Sequence, residues 1–358
     1  TTVCFNSDPE MLYPLNSGPA GGTGIYNYLW EESPDNIAWN GASENNTDAY
    51  YDPQALTLTT YYRRLVNSGA CMNTSAPVTV TVLPEIIGNN IQEDQTICEG
   101  STFSNITGAI PSGGPSSTYS YQWMSSDDNI NWNVAEGSST GVGYDPLNDS
   151  PGTLYYRRIV YSGLCQSTSN VVQLTCLPAI TNNIISSAQI ICEGSTHDNL
   201  NGSLPQGGAG TGTYSYQWMN SSDGSTFNNI PGAINEDFSG ISLTSSTWYR
   251  RVVNSSVCPS QSNDIKITVD PKITGFDISL PAEGHDTICT GDIPDILDGI
   301  PSGGLGVFTY SWESSTNNTN FTYLSSIDRA YQPGALSVTT WFRRTVTSGM
   351  CSESSTVK

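Results

Sequence analysis

Apolar and polar residues alternate along most of the chain in runs of about five. Val78-Thr79-Val80-Thr81-Val82, Val172-Gln173-Leu174-Thr175-Cys176 and Ile265-Lys266-Ile267-Thr268-Val269 share one phase, the mark of a strand with one buried face. A second alternating run, Tyr26-Asn27-Tyr28-Leu29-Trp30 or Tyr119-Ser120-Tyr121-Gln122-Trp123, follows a Gly/Pro cluster such as Pro111-Ser112-Gly113-Gly114 or Pro205-Gln206-Gly207-Gly208, which is turn chemistry. Beyond the tryptophan, Ser126-Asp127-Asp128-Asn129 and Ser222-Asp223-Gly224-Ser225 predict hairpin tips. Helical periodicity is absent throughout. The pattern predicts an all-β protein.

These runs recur. Cys4, Cys98, Cys192 and Cys289 open four copies, spaced by 94, 94 and 97 residues, and Trp30, Trp123, Trp218 and Trp312 follow them after 26, 25, 26 and 23 residues. Next comes an Arg-Arg pair behind two aromatics, ending in Arg64, Arg158, Arg251 or Arg344, and eight residues past its first arginine sits Cys71, Cys165, Cys258 or Cys351. Four landmarks repeated four times in order set the organisation before any other feature. Residues 1–84, 85–178, 179–271 and 272–358 are read as repeats 1 to 4, each an immunoglobulin-like β-sandwich. Repeat 1 lacks a first strand and repeat 4 has a shortened last one, so the expectation is a window onto a longer array. At each boundary the last strand runs through Leu83-Pro84, Leu177-Pro178 or Asp270-Pro271 straight into another alternating run. Proline and the lack of a Gly/Ser linker predict an extended rod of about 40 Å per repeat at ~3.3 Å per residue.

The repeated residues read as scaffold. Tyr62, Arg64 and Val66 share one strand face, with Phe342, Arg344 and Val346 as counterparts. That face is expected to point inward, with the arginine over a tryptophan or another ring as a cation–π partner near the sheet margin. Cys4, Cys71, Cys98, Cys165, Cys192, Cys258, Cys289 and Cys351 are read as structural disulfides, paired within each copy. Such a bond would contribute about 3–4 kcal/mol to a domain of this size. A bond from Cys71 to Cys98 across the boundary is the alternative. Cys176 aligns with Val82 and Val269 and is read as a small buried hydrophobe.

Composition narrows the function. The chain of 358 residues carries 33 acidic and 12 basic side chains, a net charge of −21, which repels nucleic acid and anionic membranes. Paired cysteines point to an oxidising compartment. No apolar run approaches the ~20 residues of a membrane-spanning helix. A catalytic site should occur once rather than four times, yet His197 and His285 stand at non-equivalent places without a triad pattern, and both are read as surface residues. Paired carboxylates, such as Glu31-Glu32, are not kept from copy to copy, against a glycosidase. Asp127-Asp128-Asn129-Ile130-Asn131 offers oxygen ligands that Ca²⁺ could use, but its equivalents lose most of the charge. A hairpin turn is the preferred reading; no catalytic, cofactor or metal residue is assigned.

The run QTICEGST, then P-S-G-G, YSYQW, S-D-D and YYRR-x-V-x-S-G-x-C resembles the Ig-like tandem repeats of giant secreted Bacteroidetes surface proteins, the SprB-type gliding adhesins. Repeat 1 departs from the pattern with Cys4-Phe5-Asn6. The resemblance implies type IX secretion, display on the cell surface, and a role in adhesion or gliding; Asp286-Thr287-Ile288 would be an O-glycosylation signal. The expected function is the structural or adhesive shaft of a long extracellular protein or filament, not an enzyme. Its partners would be further copies of the repeat, with surface glycans or environmental surfaces beyond them. Two alternatives stay open. One is an array with a ligand groove in a single repeat, lined by aromatics such as Trp132 and Tyr161; the other is a filament subunit joined by strand complementation.

Overall fold

The computed structural model describes residues 1–14, 18–147, 150–281 and 287–358. The chain divides into two compact units, Thr1–Cys176 and Leu177–Lys358, each holding two repeats. All regular structure among the described residues is strand. In repeat 2 the main sheet runs Asn133–Val134, Ser120–Ser126, Gly152–Ser162, Val172–Leu177, Gln95–Cys98. Repeat 3 reproduces it as Asn228–Asn229, Tyr214–Ser221, Thr247–Ser255, Ile265–Asp270, Gln189–Cys192. The tryptophan strand and the arginine strand are antiparallel neighbours in every copy, in a register that sets Trp30 opposite Arg64, Trp123 opposite Arg158, Trp218 opposite Arg251 and Trp312 opposite Arg344.

Alternation fixes which face is buried. Along Gly152–Ser162, Tyr156, Arg158, Val160 and Ser162 are buried while their neighbours are partly exposed, as a strand packed on one face requires. The Tyr62–Arg64 face points inward, as the repeat comparison predicts. The opposing layer is sparse: Ile86–Ile87 pairs with Ser112–Gly113, and Ile106 bridges Tyr144. These segments are rich in Gly, Pro and Ser, too short and flexible for long ladders, so side chains rather than strand pairing hold them to the sheet.

Aromatic rings fill the gap between the layers. Trp123 stacks on Tyr144 at 5.6 Å and Tyr144 meets Tyr156 in a tilted contact at 5.3 Å, with Ile106, Val172 and Leu174 completing the core. Antibody domains place a disulfide under the equivalent tryptophan; here a tyrosine pair does that filling and leaves the cysteines for another use. Burial pushes the Tyr249 hydroxyl up to about 12, because a phenolate would be desolvated there. Cys176 is a buried residue of the last strand of repeat 2.

The hairpin tips form as read. Asp128 Oδ1 accepts from the backbone of Ile130 and Asn131 at 2.8 and 2.7 Å and from Ser126 Oγ at 2.9 Å. Asp35 and Asp223 make the same turn, and in repeat 4 Asn317 Oδ1 does so. Each carboxylate is therefore committed to its own loop. Backbone N–H donors, Asn131 first for Asp128 and Thr226 first for Asp223, hold both carboxyls well below the usual carboxylate range. A folded-state value below the unfolded one gives stability that is complete above an unfolded value of ~3.9 and is lost as pH falls toward the folded one. Asparagine keeps the acceptor without the titration, as Asn317 does. In a Asp35→Asn/Asp128→Asn/Asp223→Asn variant, the urea midpoint should fall less than in wild type between about pH 5 and about pH 2. Equal acid slopes in the two proteins would rule this out.

Candidate interface at the repeat junctions

The inward arginine of each repeat is a hub rather than a margin residue. Arg158, Arg251 and Arg344 are 0 % exposed. The Arg158 guanidinium lies 5.1 Å from the Tyr121 ring centre and 5.9 Å from that of Trp123, so the predicted cation–π contact forms, but deep in the fold. A buried cation is tolerable only if its donors are matched. Arg158 Nε and Nη2 donate to Asn89 Oδ1 at 3.0 and 2.9 Å, Nη2 also to Ala109 O at 2.7 Å, and Nη1 to Val142 O at 2.7 Å. Arg251 repeats this with Asn183 Oδ1, Ser203 O and Glu236 O. Arg344 reaches the carbonyls of Phe276, Gly299 and Arg329. Desolvation pushes all three guanidiniums below their ordinary value. Arg64 is 9 % exposed, lies 5.1 Å from the Tyr28 ring centre, and donates from Nη1 to Ala49 O.

Asn89 and Asn183 were not singled out by sequence reasoning. Their signal is positional: each stands five residues after a junction proline, Pro84 or Pro178. They lie on the segment that enters the repeat and packs against the arginine strand and its hairpin partner. Asn89 Nδ2 donates to Ser167 O at 2.8 Å, and Glu85 O accepts from Gly114 N at 2.9 Å. Glycine is required where that segment crosses, since a Cβ on Gly113, Gly207 or Gly303 would collide with the carbonyl of Glu85, Ala179 or Lys272.

The cysteine pairing differs from the within-copy expectation. Cys4 of repeat 1 bonds Cys165 of repeat 2, and Cys192 of repeat 3 bonds Cys351 of repeat 4. Cys98 and Cys258 are also disulfide-bonded. Cys71 and Cys289 are unbonded and exposed, so neither the within-copy pairs nor the Cys71–Cys98 alternative forms. The sheet explains why. Cys4 follows Thr2–Val3, which lies parallel to Thr81 and Val82, at the end of the arginine strand where Thr60 faces Val80. Cys71 sits at the other end of that strand, opposite Ser68. Roughly 26 Å of strand, at ~3.3 Å per residue, separates the two ends, against Cα distances of under ~7 Å in disulfides. Cys4 instead arrives at the boundary beside Leu83, where both pack against Ile86, Val160 and Cys165. In the second unit Asp270 Oδ2 accepts from Met350 N at 2.9 Å at the equivalent corner.

Candidate chemistry fares differently at each place. His197 is 2 % exposed rather than on the surface. It occupies the position of Phe103 and packs between Phe238 and Tyr249. His285 and Asp286 lie outside the described residues. Trp132 lies under Arg157 at 4.2 Å, and Trp39, Phe227 and Phe321 do the same under Arg63, Arg250 and Arg343 at 4.2, 4.0 and 4.1 Å. It is thus a repeated exterior brace, not the wall of a unique groove; Tyr161 is half-buried on the same strand. Among the described residues no three His, Cys, Asp or Glu side chains are placed to hold a metal ion.

Replacing Arg158 by Met removes the charge but strands the Asn89, Ala109 and Val142 oxygens. The loss should be about 3–5 kcal/mol in denaturant unfolding. Arg157→Met, which touches the exterior brace, should cost under about 1 kcal/mol. Equal costs would refute the hub role.

Comparison with known proteins adds the family. No curated protein matches this chain. Among solved structures, Drosophila OTK extracellular domains 3–5 align at 10 % identity over 75 % of this chain and 93 % of that one, with a TM-score of 0.32. The N-terminal four Ig domains of Dscam1 isoform 6.9 align at 14 % identity over 99 % and 95 %, with a TM-score of 0.23. The three N-terminal domains of the bacteriophage RB49 Hoc protein align at 14 % identity over 76 % and 97 %, with a TM-score of 0.33. Likenesses this low carry no inference about what the chain does. A family model described as a domain of unknown function, DUF8696, matches four times, over residues 1–84, 87–178, 181–271 and 280–358. With four matches spanning nearly its whole length, the chain belongs to the DUF8696 family as a tandem array of that domain.

Proposed function

We propose that this chain is a stretch of the tension-bearing shaft of an extracellular adhesin or surface filament. The observation that carries the reading is the pair of disulfides crossing repeat boundaries, Cys4–Cys165 and Cys192–Cys351. A bond inside one repeat would strengthen that repeat alone. A bond between neighbours transmits load past the boundary even when either domain opens. Disulfides of this kind persist in oxidising compartments, in keeping with a secreted or extracellular protein. The four copies repeat their hub, brace and hairpin tips, which favours a structural role over a single specialised groove. Further repeats of the same kind are the first partners of such a shaft, and glycans or solid surfaces would be met elsewhere along it. The resemblance to SprB-type repeats adds display on the cell surface and a part in attachment or gliding.

Stretching single molecules tests the reading. The two bonds enclose sequence separations of 161 and 159 residues. Each withholds roughly 540 Å of chain at ~3.4 Å per residue. Adding a reductant should lengthen the fully stretched chain by about 1,000 Å, the two withheld lengths together. Identical lengths with and without reductant would overturn the covalent load path. Immunogold labelling of intact cells tests location: gold along thin external fibres is expected, and label found only after permeabilisation would contradict it.

A further inference from the structure

The four exterior braces differ in one respect. Arg63, Arg250 and Arg343 stack on Trp39, Phe227 and Phe321, and each also donates from Nε to a carboxylate, that of Glu31, Asp264 or Glu313. Arg157 stacks on Trp132 in the same way but meets no carboxylate. Its Nε is buried without an acceptor among the described residues, while Nη1 and Nη2 make no hydrogen bond there and reach solvent. The register of the sheet gives the reason. Opposite Arg157 on the tryptophan strand is Met124, where repeat 1 sets Glu31 opposite Arg63 and repeat 4 sets Glu313 opposite Arg343. On the other side Tyr156 faces Val172, which brings Val171 beside Arg157; repeat 3 has Asp264 at that place. Each sister repeat keeps a carboxylate at one of the two positions, and repeat 2 keeps one at neither. Val134, opposite Met124 on the edge strand, extends the row on the same face. Val134 and Val171 are 58 % and 39 % exposed, so an unpaired cation stands in the middle of an apolar row open to solvent.

We infer that this face of repeat 2 binds a small organic acid, one carboxylate on an aliphatic or aromatic body. The carboxylate follows from the fold itself, since that is the group the same guanidinium takes in the three sister repeats, and the planar fork matches its two oxygens. A single charge follows from the surroundings. The only other basic residue of repeat 2 is the buried Arg158, so a phosphate dianion finds no second cation, and the net charge of −21 repels an acidic polymer. The apolar body follows from Met124, Val134 and Val171, whose side chains gain by leaving water. The ligand's oxygens accept from Nη1 and Nη2, its body lies along the row, and Trp132 keeps the guanidinium plane in position. One exposed charge contact on a shallow face gives weak binding, half-saturated on the order of millimolar. The site stands apart from the shaft reading and does not depend on it.

The test uses the full chain labelled with ¹³C at its methionine methyl groups. The sequence has five methionines, and the signal lost in Met124→Leu is that of Met124. Titration with phenylacetate should shift the Met124 methyl along a saturating curve and leave Met219 still. Met219 holds the same place in repeat 3, opposite an Arg250 that is already paired with Asp264. Phenylacetamide, the uncharged analogue, should need a several-fold higher concentration. Arg157→Gln removes the fork from an exterior position, should keep the melting of wild type, and should weaken the acid by a similar factor. Asp264→Val gives Arg250 the neighbours that Arg157 has, so Met219 should then respond. A Met124 methyl unmoved at about 50 mM phenylacetate, equal half-points for acid and amide, an unchanged half-point in folded Arg157→Gln, or a silent Met219 in folded Asp264→Val each overturns the inference. The stretched length with and without reductant is untouched by any of these results, so failure of the acid site and failure of the shaft are separable.

Discussion

A guanidinium held away from water is the constraint around which each repeat is built. Desolvating such a cation costs several kcal/mol unless its donors find partners. The main sheet cannot supply them, because its own carbonyls are used in the ladder. The partners come from three separate places in the opposing layer, which for Arg158 are Asn89, Ala109 and Val142. That layer has few strand pairings of its own. The arginine therefore fixes the position of three loops that backbone hydrogen bonding leaves loosely specified. Its planar fork suits this in a way an ammonium does not, and the facing Tyr121 and Trp123 rings add attraction without adding a competing charge.

From that arrangement follows the use made of the cysteines. With the space under the tryptophan filled by a pair of aromatic rings, two tyrosines in repeats 1 and 2 and a phenylalanine with a tyrosine in repeats 3 and 4, no disulfide is needed between the layers. The opening cysteine lies at one end of the sheet and the second cysteine at the other, so Cys4 meets Cys165 and Cys192 meets Cys351 of the neighbouring repeat instead of a partner in the same copy. By chain-entropy reasoning a loop of ~160 residues contributes about 5 kcal/mol, but that stabilisation belongs to two repeats jointly. Opening one domain then leaves its neighbour tethered across the boundary. Stability measured for an excised repeat would omit it.

Much of this was legible in the sequence. Alternation gave the strands, the turn residues gave the hairpin tips, and four-fold recurrence gave the repeats. The register of Arg158 opposite Trp123 follows from inward-facing residues on adjacent strands. What escaped depends on the ends of strands rather than their faces. Equal numbers of opening and second cysteines suit pairing within a copy and pairing to the next copy equally well, and only the length of the arginine strand decides between them. The partners of Arg158 are mostly backbone carbonyls, which leave no residue type to recognise, and Asn89 looks like any loop asparagine. His197 was misplaced for a related reason: its polar ring sits where repeat 2 has Phe103, so residue type argued for the surface while position argued for the core.

Charge limits which surfaces of a repeat can meet another. Of 12 basic residues against 33 acidic ones, eight are the repeated arginine pairs. The inner arginine of each pair is buried, and the outer one is stacked on a ring, with Arg63, Arg250 and Arg343 also paired to carboxylates. The remaining field is negative, and like-charged flanks repel over a Debye length of ~8 Å at physiological salt. Side-by-side adhesion of bare flanks is therefore disfavoured. Within each unit the contacts that cross from one repeat to the next carry little charge: the Cys4–Cys165 and Cys192–Cys351 bonds, and the packing of Cys4 and Leu83 on Ile86, Val160 and Cys165.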